Sequence, residues 1–374
     1  MLAGLVHAQT EYKAPAASQK VDLGEAEPFC PEGRAEWRKK QVIEGITIEE
    51  SPVCSPDNPY EVTAFVKGTN NVSMETMMYT DLAPDAVVMG NDLDGDGDPD
   101  EVQIRLEIME LNGRSPDMPD TVPGYAIAPG IQPGFWVFTP KTRGMSTKSF
   151  IDIQANPLLR LPAPVIRVEQ GDKVKIILEN THYLPHSIHL HGVDHPFLLD
   201  HPMHGYVGND GVPEASEHLV MPGESKLYEI KPRHAGTMFY HCHVQANVHI
   251  IMGLAGMFVI EENRPNNWVQ TFNVGAGHVR HPSVAVLEHY NREYDLHYMD
   301  SDRELHNLIQ TSNDPRVVAK AMHQTYDMTE ATVDYFTLNG RSFPYTLRES
   351  LIVVGPNENV KLRVLNSGED TVTL

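Results

Sequence analysis

His186-Ser187-Ile188-His189-Leu190-His191-Gly192 is answered further along by His241-Cys242-His243-Val244, then His249, then Gly253-Leu254. Six histidines and one cysteine fall into two tight clusters. Imidazole suits copper, and a thiolate with two imidazoles makes the trigonal site of blue-copper proteins. Zinc sites rarely use so many clustered imidazoles with one lone cysteine.

The spacing predicts how the side chains point. In a β-strand, alternate residues share a face. His189 and His191 therefore point one way, with Leu190 behind them. His241 and His243 point one way and the Cys242 thiol the other. One strand can then serve two metal centres, its sulfur on one and its flanking rings on the other, with a covalent path of a few bonds between them.

Around this stretch the chain reads as all-β. Phe135-Trp136-Val137-Phe138, Val165-Ile166-Arg167-Val168 and Lys173-Val174-Lys175-Ile176 are short strands, punctuated by Pro-Gly and Gly-Asp turns. From residue 130 onward this pattern predicts a Greek-key β-sandwich. Helix should be scarce, with one near Pro315–Thr325.

These residues resemble the multicopper oxidases, laccase-like enzymes built from cupredoxin domains. The carrying motifs are the HxxHxHG at 186–192, the YHCH at 240–243 and the downstream His249. The spacer carries Asp210-Gly211, Pro222-Gly223-Glu224-Ser225 and Gly236-Thr237-Met238-Phe239-Tyr240. The resemblance is strong over roughly 130–262 and weak over 263–374. It implies type 1 copper ligands at His186, Cys242 and His249. It implies a type 2 ligand at His189 and type 3 ligands at His191, His241 and His243. Asp194 falls where the family often has an acid that relays protons.

One departure stands out. The family places its second type 1 histidine five residues after the cysteine, where this chain has Asn247. Aligning His249-Ile250-Ile251-Met252-Gly253-Leu254 with the family's pattern implies a two-residue insertion. Leu254 then takes the axial position without ligating. Met252 is the rival, since a weak axial Met is common at such sites.

The remaining chain adds bounds. Its 374 residues suffice for two domains, and a net charge of -22 argues against nucleic acid as a partner. The expected division is an irregular exported segment at 1–60, a cupredoxin domain at 61–262 with an acidic insertion, and a partial cupredoxin domain at 263–374. Residues 1–20 read like the tail of a secretory signal, so a periplasmic or secreted protein is expected. No stretch reaches a membrane span. Cys30 and Cys54 suit a disulfide in an oxidising compartment, with two free thiols as the alternative. Met74, Met77 and Met78 are core filler before they are a copper patch.

The insertion contains Asp92-Leu93-Asp94-Gly95-Asp96-Gly97-Asp98-Pro99-Asp100. Carboxylates at alternate positions are hard ligands that suit Ca²⁺, with Asp92, Asp94, Asp96 and Asp100 as candidates. The twelfth position is Gln103, so this is no EF-hand. A solvated acidic turn is the plain alternative.

An internal repeat pairs residues 165–176 with 351–362 at an offset of 186 (351 − 165), with Asn180 matching Asn366. In that register His186 maps to Val372, so the second unit lacks a type 1 site. His189 maps one residue past the end. The resemblance therefore implies a C-terminally truncated chain holding half of a trinuclear cluster, inactive as it stands. His278, His281, His289, His297 and His306 show no HxH pattern and are expected in loops and on the surface.

The function implied is oxidation of a phenol-like or metal-ion reductant at type 1 copper, coupled to four-electron reduction of dioxygen to water at a trinuclear cluster. The rivals are a copper nitrite reductase and a non-enzymatic blue-copper electron carrier. With only two cupredoxin domains, related enzymes build the cluster between subunits of a homotrimer.

Overall fold

In the computed structural model, the described residues are 82–83, 85–113, 124–142, 160–195, 198–201, 205–213, 216–264, 269, 271–279, 290–312 and 314–373. To these are added four short strands, β1 (Trp37–Arg38), β2 (Gln41–Ile43), β3 (Ile46–Ile48) and β4 (Ser51–Pro52). Cys30, Cys54, the methionines at 74, 77 and 78, and the start of the chain lie outside the described residues.

The chain is an all-β sandwich with a second, smaller sheet on its flank. One sandwich sheet contains β5 (Val87–Met89), β6 (Glu101–Leu111), β7 (Phe135–Pro140), β9 (Lys173–Glu179) and β13 (Ser225–Ile230). The other runs β10-β14-β15-β8-β16, with β8 at Val165–Glu169, β10 at His189–Leu190, β14 at Gly236–His241, β15 at Ala255–Glu261 and β16 at Phe272–Asn273. A separate hairpin joins β11 (Leu198–His201) to β12 (Gly205–Val207).

Alternation explains the core. In β6, Val102, Ile104 and Leu106 are buried while Glu101, Gln103 and Arg105, which alternate with them, are not; in β9, Val174, Ile176 and Leu178 are buried in the same alternation. They meet Ile166, Val168, Phe258 and Ile260 of the facing sheet in one hydrophobic cluster. Among the described strands of the sandwich two pairs are parallel, β6 with β9 and β15 with β8, because the chain crosses between sheets at these points.

Strand β15 is buried along its whole length. Its outer face is covered by the second unit, made of β17 (Gly277–His278), β18 (Arg292–Asp302), β19 (Val333–Leu338) and β20 (Val360–Asn366). Leu365 packs on Val165, Met257 and Val259. Arg167 reaches Glu261 at 3.4 Å and Glu293 at 3.3 Å, and also bonds Asp295. Burial opposes ionisation of Glu261, but Arg264 and Arg167 hold its carboxyl at about 2.

The second unit repeats the pattern of the first sheet. β20 runs parallel to β18 as β9 does to β6, and β17 and β19 flank β18 as β5 and β7 flank β6. The half of the repeat at 351–354 differs. It is not a strand, and its four apolar side chains are 37–58% exposed. Its counterpart β8 is buried because two sheets cover it.

Among the described residues, four α-helices accompany the sheets: α1 (Ala246–Ile251), α2 (Arg303–Thr311), α3 (Pro315–Lys320) and α4 (Thr346–Glu349). The helix expected at 315–325 is α3, extended by a π-turn over Ala321–Thr325. Asp314 caps α3, and Pro315 stands in its first turn, where a missing N–H costs nothing. No helix among the described residues is long and apolar enough to cross a membrane.

The acidic stretch 92–100 joins the paired strands β5 and β6. One expectation is corrected. His297 and His306 are not surface residues, for both have 0% exposure. His297 bonds Ser367 Oγ at 2.7 Å, and the His306 ring lies edge-on to Phe135. The interface between the two units swallows them, which a single-domain reading of their spacing cannot foresee.

Candidate metal centre

His186 pairs with Val220 in an isolated antiparallel bridge beyond the end of β9, with backbone bonds of 3.1 and 3.0 Å in both directions. Cys242 follows the last residue of β14, and its N–H donates to Leu254 O at 3.0 Å. His249 stands on α1, whose N-cap Gln245 has a left-handed φ of 43°. Asn247 is exposed and His249 is fully buried, so α1 presents residue 249 inward. Gly253 closes the turn at φ 114°, where a Cβ would lie 2.4 Å from the Trp136 carbonyl.

These elements bring three donors together. Cys242 Sγ lies 3.6 Å from His186 Nδ1 and 3.3 Å from His249 Nδ1. A trigonal ion with bonds of about 2.1–2.3 Å separates its donors by roughly 3.5–4 Å, so this set fits one metal with little movement. All three residues are fully buried, and Leu254 and Met252, the two axial candidates, are also at 0% exposure. Burial pushes the Cys242 thiol up to about 12 and, aided by neighbouring histidines, holds His186 and His249 well below the usual range. The imidazoles are thus neutral donors, and a bound cation displaces the thiol proton.

The outer nitrogens of both rings are engaged. His186 Nε2 shares a 2.9 Å hydrogen bond with His182 Nδ1, and His249 Nε2 a 3.1 Å bond with His323 Nε2 of the second unit. Such bonds fix which nitrogen faces a metal. Trp136 stands edge-on to His182, His186 and His249, with ring centres 5.0, 5.9 and 5.1 Å away. Sequence reasoning missed His182, His323 and Trp136. His182 stands four residues before His186 and could have been suspected; His323 belongs to another unit and carries no motif.

The second cluster lies on the other side of Cys242. His189 and His241 are directly opposed across β10 and β14. His189, His191 and His241 each place a ring nitrogen within 4.8 Å of the others, and His191 Nε2 is 3.0 Å from His241 Nε2. Leu190 between the first two is buried. His243 borders this group, its ring 5.2 Å from His189 and 5.7 Å from His241, but it is not among the three converging donors. His241 Nδ1 bonds Cys242 O at 2.9 Å and His189 Nδ1 bonds Asp210 O. Both rings therefore keep Nε2 for a metal, the reverse of His186 and His249. Burial, the largest cause, lowers His241 to about 4.

Asp194 is 65% exposed at its side chain and pairs with Arg233 at 2.8 Å. Its neighbour His195 stacks on His189 at 5.3 Å and bonds Leu190 O and Asn209 O. In the acidic loop, Asp92, Asp94 and Asp100 converge, while Asp96 accepts from Asp98 N at 3.5 Å.

Residues 159–265 match the multicopper oxidase family model. Multicopper oxidase CTB12 of Cercospora beticola is 33% identical over 97 residues, 26% of this chain and 14% of that protein. Multicopper oxidase mco of Staphylococcus aureus is 31% identical over 116 residues, 30% of this chain and 23% of that protein. The matched stretch thus spans less than a quarter of either relative. Among solved structures, the blue copper oxidase of Nitrosomonas europaea aligns with 71% of this chain and 61% of its own, at 24% identity and a TM-score of 0.45.

Proposed function

We propose that this chain, which carries a multicopper oxidase domain at residues 159–265, takes electrons one at a time from a small reductant and delivers them to dioxygen. The reductant class is a phenol-like molecule or a metal ion. His186, Cys242 and His249 are read as a type 1 copper set, and His189, His191, His241 and His243 as part of a type 2 and type 3 cluster. Bound copper supplies one-electron transfer at the first set and four-electron reduction of dioxygen to water at the second.

The residues divide the remaining work. Cys242 and His241 are bonded neighbours whose side chains enter different clusters, and this adjacency is the observation that carries the reading. The carbonyl of Cys242 also accepts from His241 Nδ1, a second short link between the clusters. Trp136, Leu254 and Met252 keep water from the sulfur. The clusters differ in access: the sulfur set is buried, whereas His191 is exposed and His189 half-exposed. That difference suits an electron port beside a site open to a diatomic gas.

The donor set at 189–243 holds half the imidazoles that a trinuclear cluster uses in the family it resembles. A second copy of the chain, as in a homotrimer, is one supplier of the rest, and the reading extends to an exported location. The test is His241→Ala in the copper-loaded protein. Visible absorption from the thiolate–copper bond should persist while oxygen uptake falls at least about a hundredfold. Unchanged oxygen uptake overturns the reading. Nitrite consumption in place of oxygen uptake would move the protein to the nitrite reductase class.

A further inference from the structure

Neither imidazole of the Cys242 set reaches water. His186 and His249 are at 0% exposure, as are Cys242 and the side chains of Trp136, Met252 and Leu254 around them. A small reductant in solution therefore touches no ligand of this set, and an electron bound for it must cross a neighbouring group first. Two rings adjoin the outer nitrogens of the ligands. His182, bonded to His186, is itself buried. His323, bonded to His249, is partly exposed. Among the described residues, His323 alone both bonds an imidazole of this set through its side chain and meets solvent.

Local structure puts it there. The π-turn at Ala321–Thr325 is closed by Tyr326 N donating to Ala321 O at 2.8 Å. Such single π-turns recur at functional sites. Met322 enters the core at 1% exposure, with Val318 of α3 beside it in the same cluster. His323 is left at the rim, next to the exposed Gln324 and Thr325. Tyr326 Oη donates to Asp302 Oδ2 at 2.7 Å and pins the end of the turn. The His323 ring is stacked on His249, with planes 30° apart and centres separated by 5.3 Å. Only the 3.1 Å between their Nε2 atoms then separates a ring at the surface from a buried ligand. The route on the other side is longer. From His186 it passes His182 and then Tyr183, two rings in series, whose centres are 4.0 Å apart.

We infer that His323 is the electron port: reductant docks against its ring, and the electron crosses to His249 through the Nε2 pair. This rests on the reading of His186, Cys242 and His249 as a type 1 copper set. One electron leaves the phenol-like or metal-ion reductant and reduces cupric ion at that set to cuprous ion. His323 is not itself oxidised, and it gains and loses no proton. The second unit thus supplies the docking face for a centre whose ligands all belong to the first. Lys320, exposed on α3 and three residues before His323, is placed to act on the charge of whatever docks there.

The test is made on the copper-loaded full chain without oxygen, by following the bleaching of the thiolate–copper absorption in a stopped-flow mixer. The cationic reductant is hexaammineruthenium(II) and the anionic one hexacyanoferrate(II). His323→Gln keeps a donor for His249 Nε2 but has no ring; it should keep the absorption and bleach at least about tenfold more slowly with both. Lys320→Glu should speed the cationic reductant and slow the anionic one, each by at least about threefold at low ionic strength, with both effects fading in salt. Thr181→Lys, exposed beside His182, should change neither rate. Parent-like bleaching in both the His323 and Lys320 variants overturns the port. So does a charge effect that follows Thr181→Lys instead, which moves entry to the His182–Tyr183 rings. Absence of the absorption from the parent would sink the copper reading itself and this inference with it.

Discussion

His189 stands directly opposite His241 across the β10–β14 ladder, in register. Opposed residues in an antiparallel pair hold their side chains close on one face. On the proposed reading the two rings ligate as one unit, and losing either should cost what losing both does. His189→Ala and His241→Ala are each expected to abolish metal at that cluster, and the double variant should be no worse. Metal content per chain, measured on all three proteins, checks this; additive losses would separate the rings.

Cys242→Ser should remove the thiolate–copper absorption and lower copper by one ion per chain. The hydroxyl is buried where sulfur lay at 0% exposure, so stability should fall by about 1–3 kcal/mol. Elemental analysis with a denaturant melt reads both effects.

His323→Ala should weaken copper at the Cys242 set by about 10–100-fold, because the 3.1 Å bond to His249 Nε2 orients that ligand. His323→Gln should restore most of it. Titration against a competing chelator gives the affinities, and equal values for all three would refute the orienting role.

Arg167→Met should destabilise the chain by about 3–5 kcal/mol, since Glu293 and Asp295 would stay buried at 0% exposure without its charge. Glu293 keeps Arg363 and Asp295 keeps Asn273, which favours the lower end. Urea melts measure the loss.

Burial pushes His297 down to about 3 from an ordinary 6.5. The unfolded chain takes up this proton first as pH falls. The stability this ring contributes is whole above pH 6.5 and erodes from there toward pH 3, by about 1.4 kcal/mol per pH unit. His297→Gln should flatten that slope in melts run between pH 7 and 4.5, and parallel curves would exclude the ring as the cause.

The sulfur, the rings of residues 186–249 and the sandwich were legible because period-two spacing and donor type are local properties of the sequence. The helix at 315–325 was legible from Asp314-Pro315. The surroundings of the site were not. Trp136 reads as one apolar residue in a buried strand, and its position against three imidazoles depends on sheet packing. His323 reaches His249 only once the second unit docks. The assignment of 278, 297 and 306 to the surface failed for the same reason at two of these positions. The repeat at 351–362 was visible as pattern, but whether 351–354 pairs as a strand depends on a covering sheet that no local pattern specifies.

The contact between His249 and His323 makes the grip on a metal and the grip between the halves two readings of one equilibrium. If filling the Cys242 set favours the joined arrangement, the joined arrangement favours filling by the same factor. On the proposed reading, proteolytic nicking of the second unit should therefore slow when copper is added and quicken when it is withdrawn, the Cys242 set acting as a latch on its own architecture.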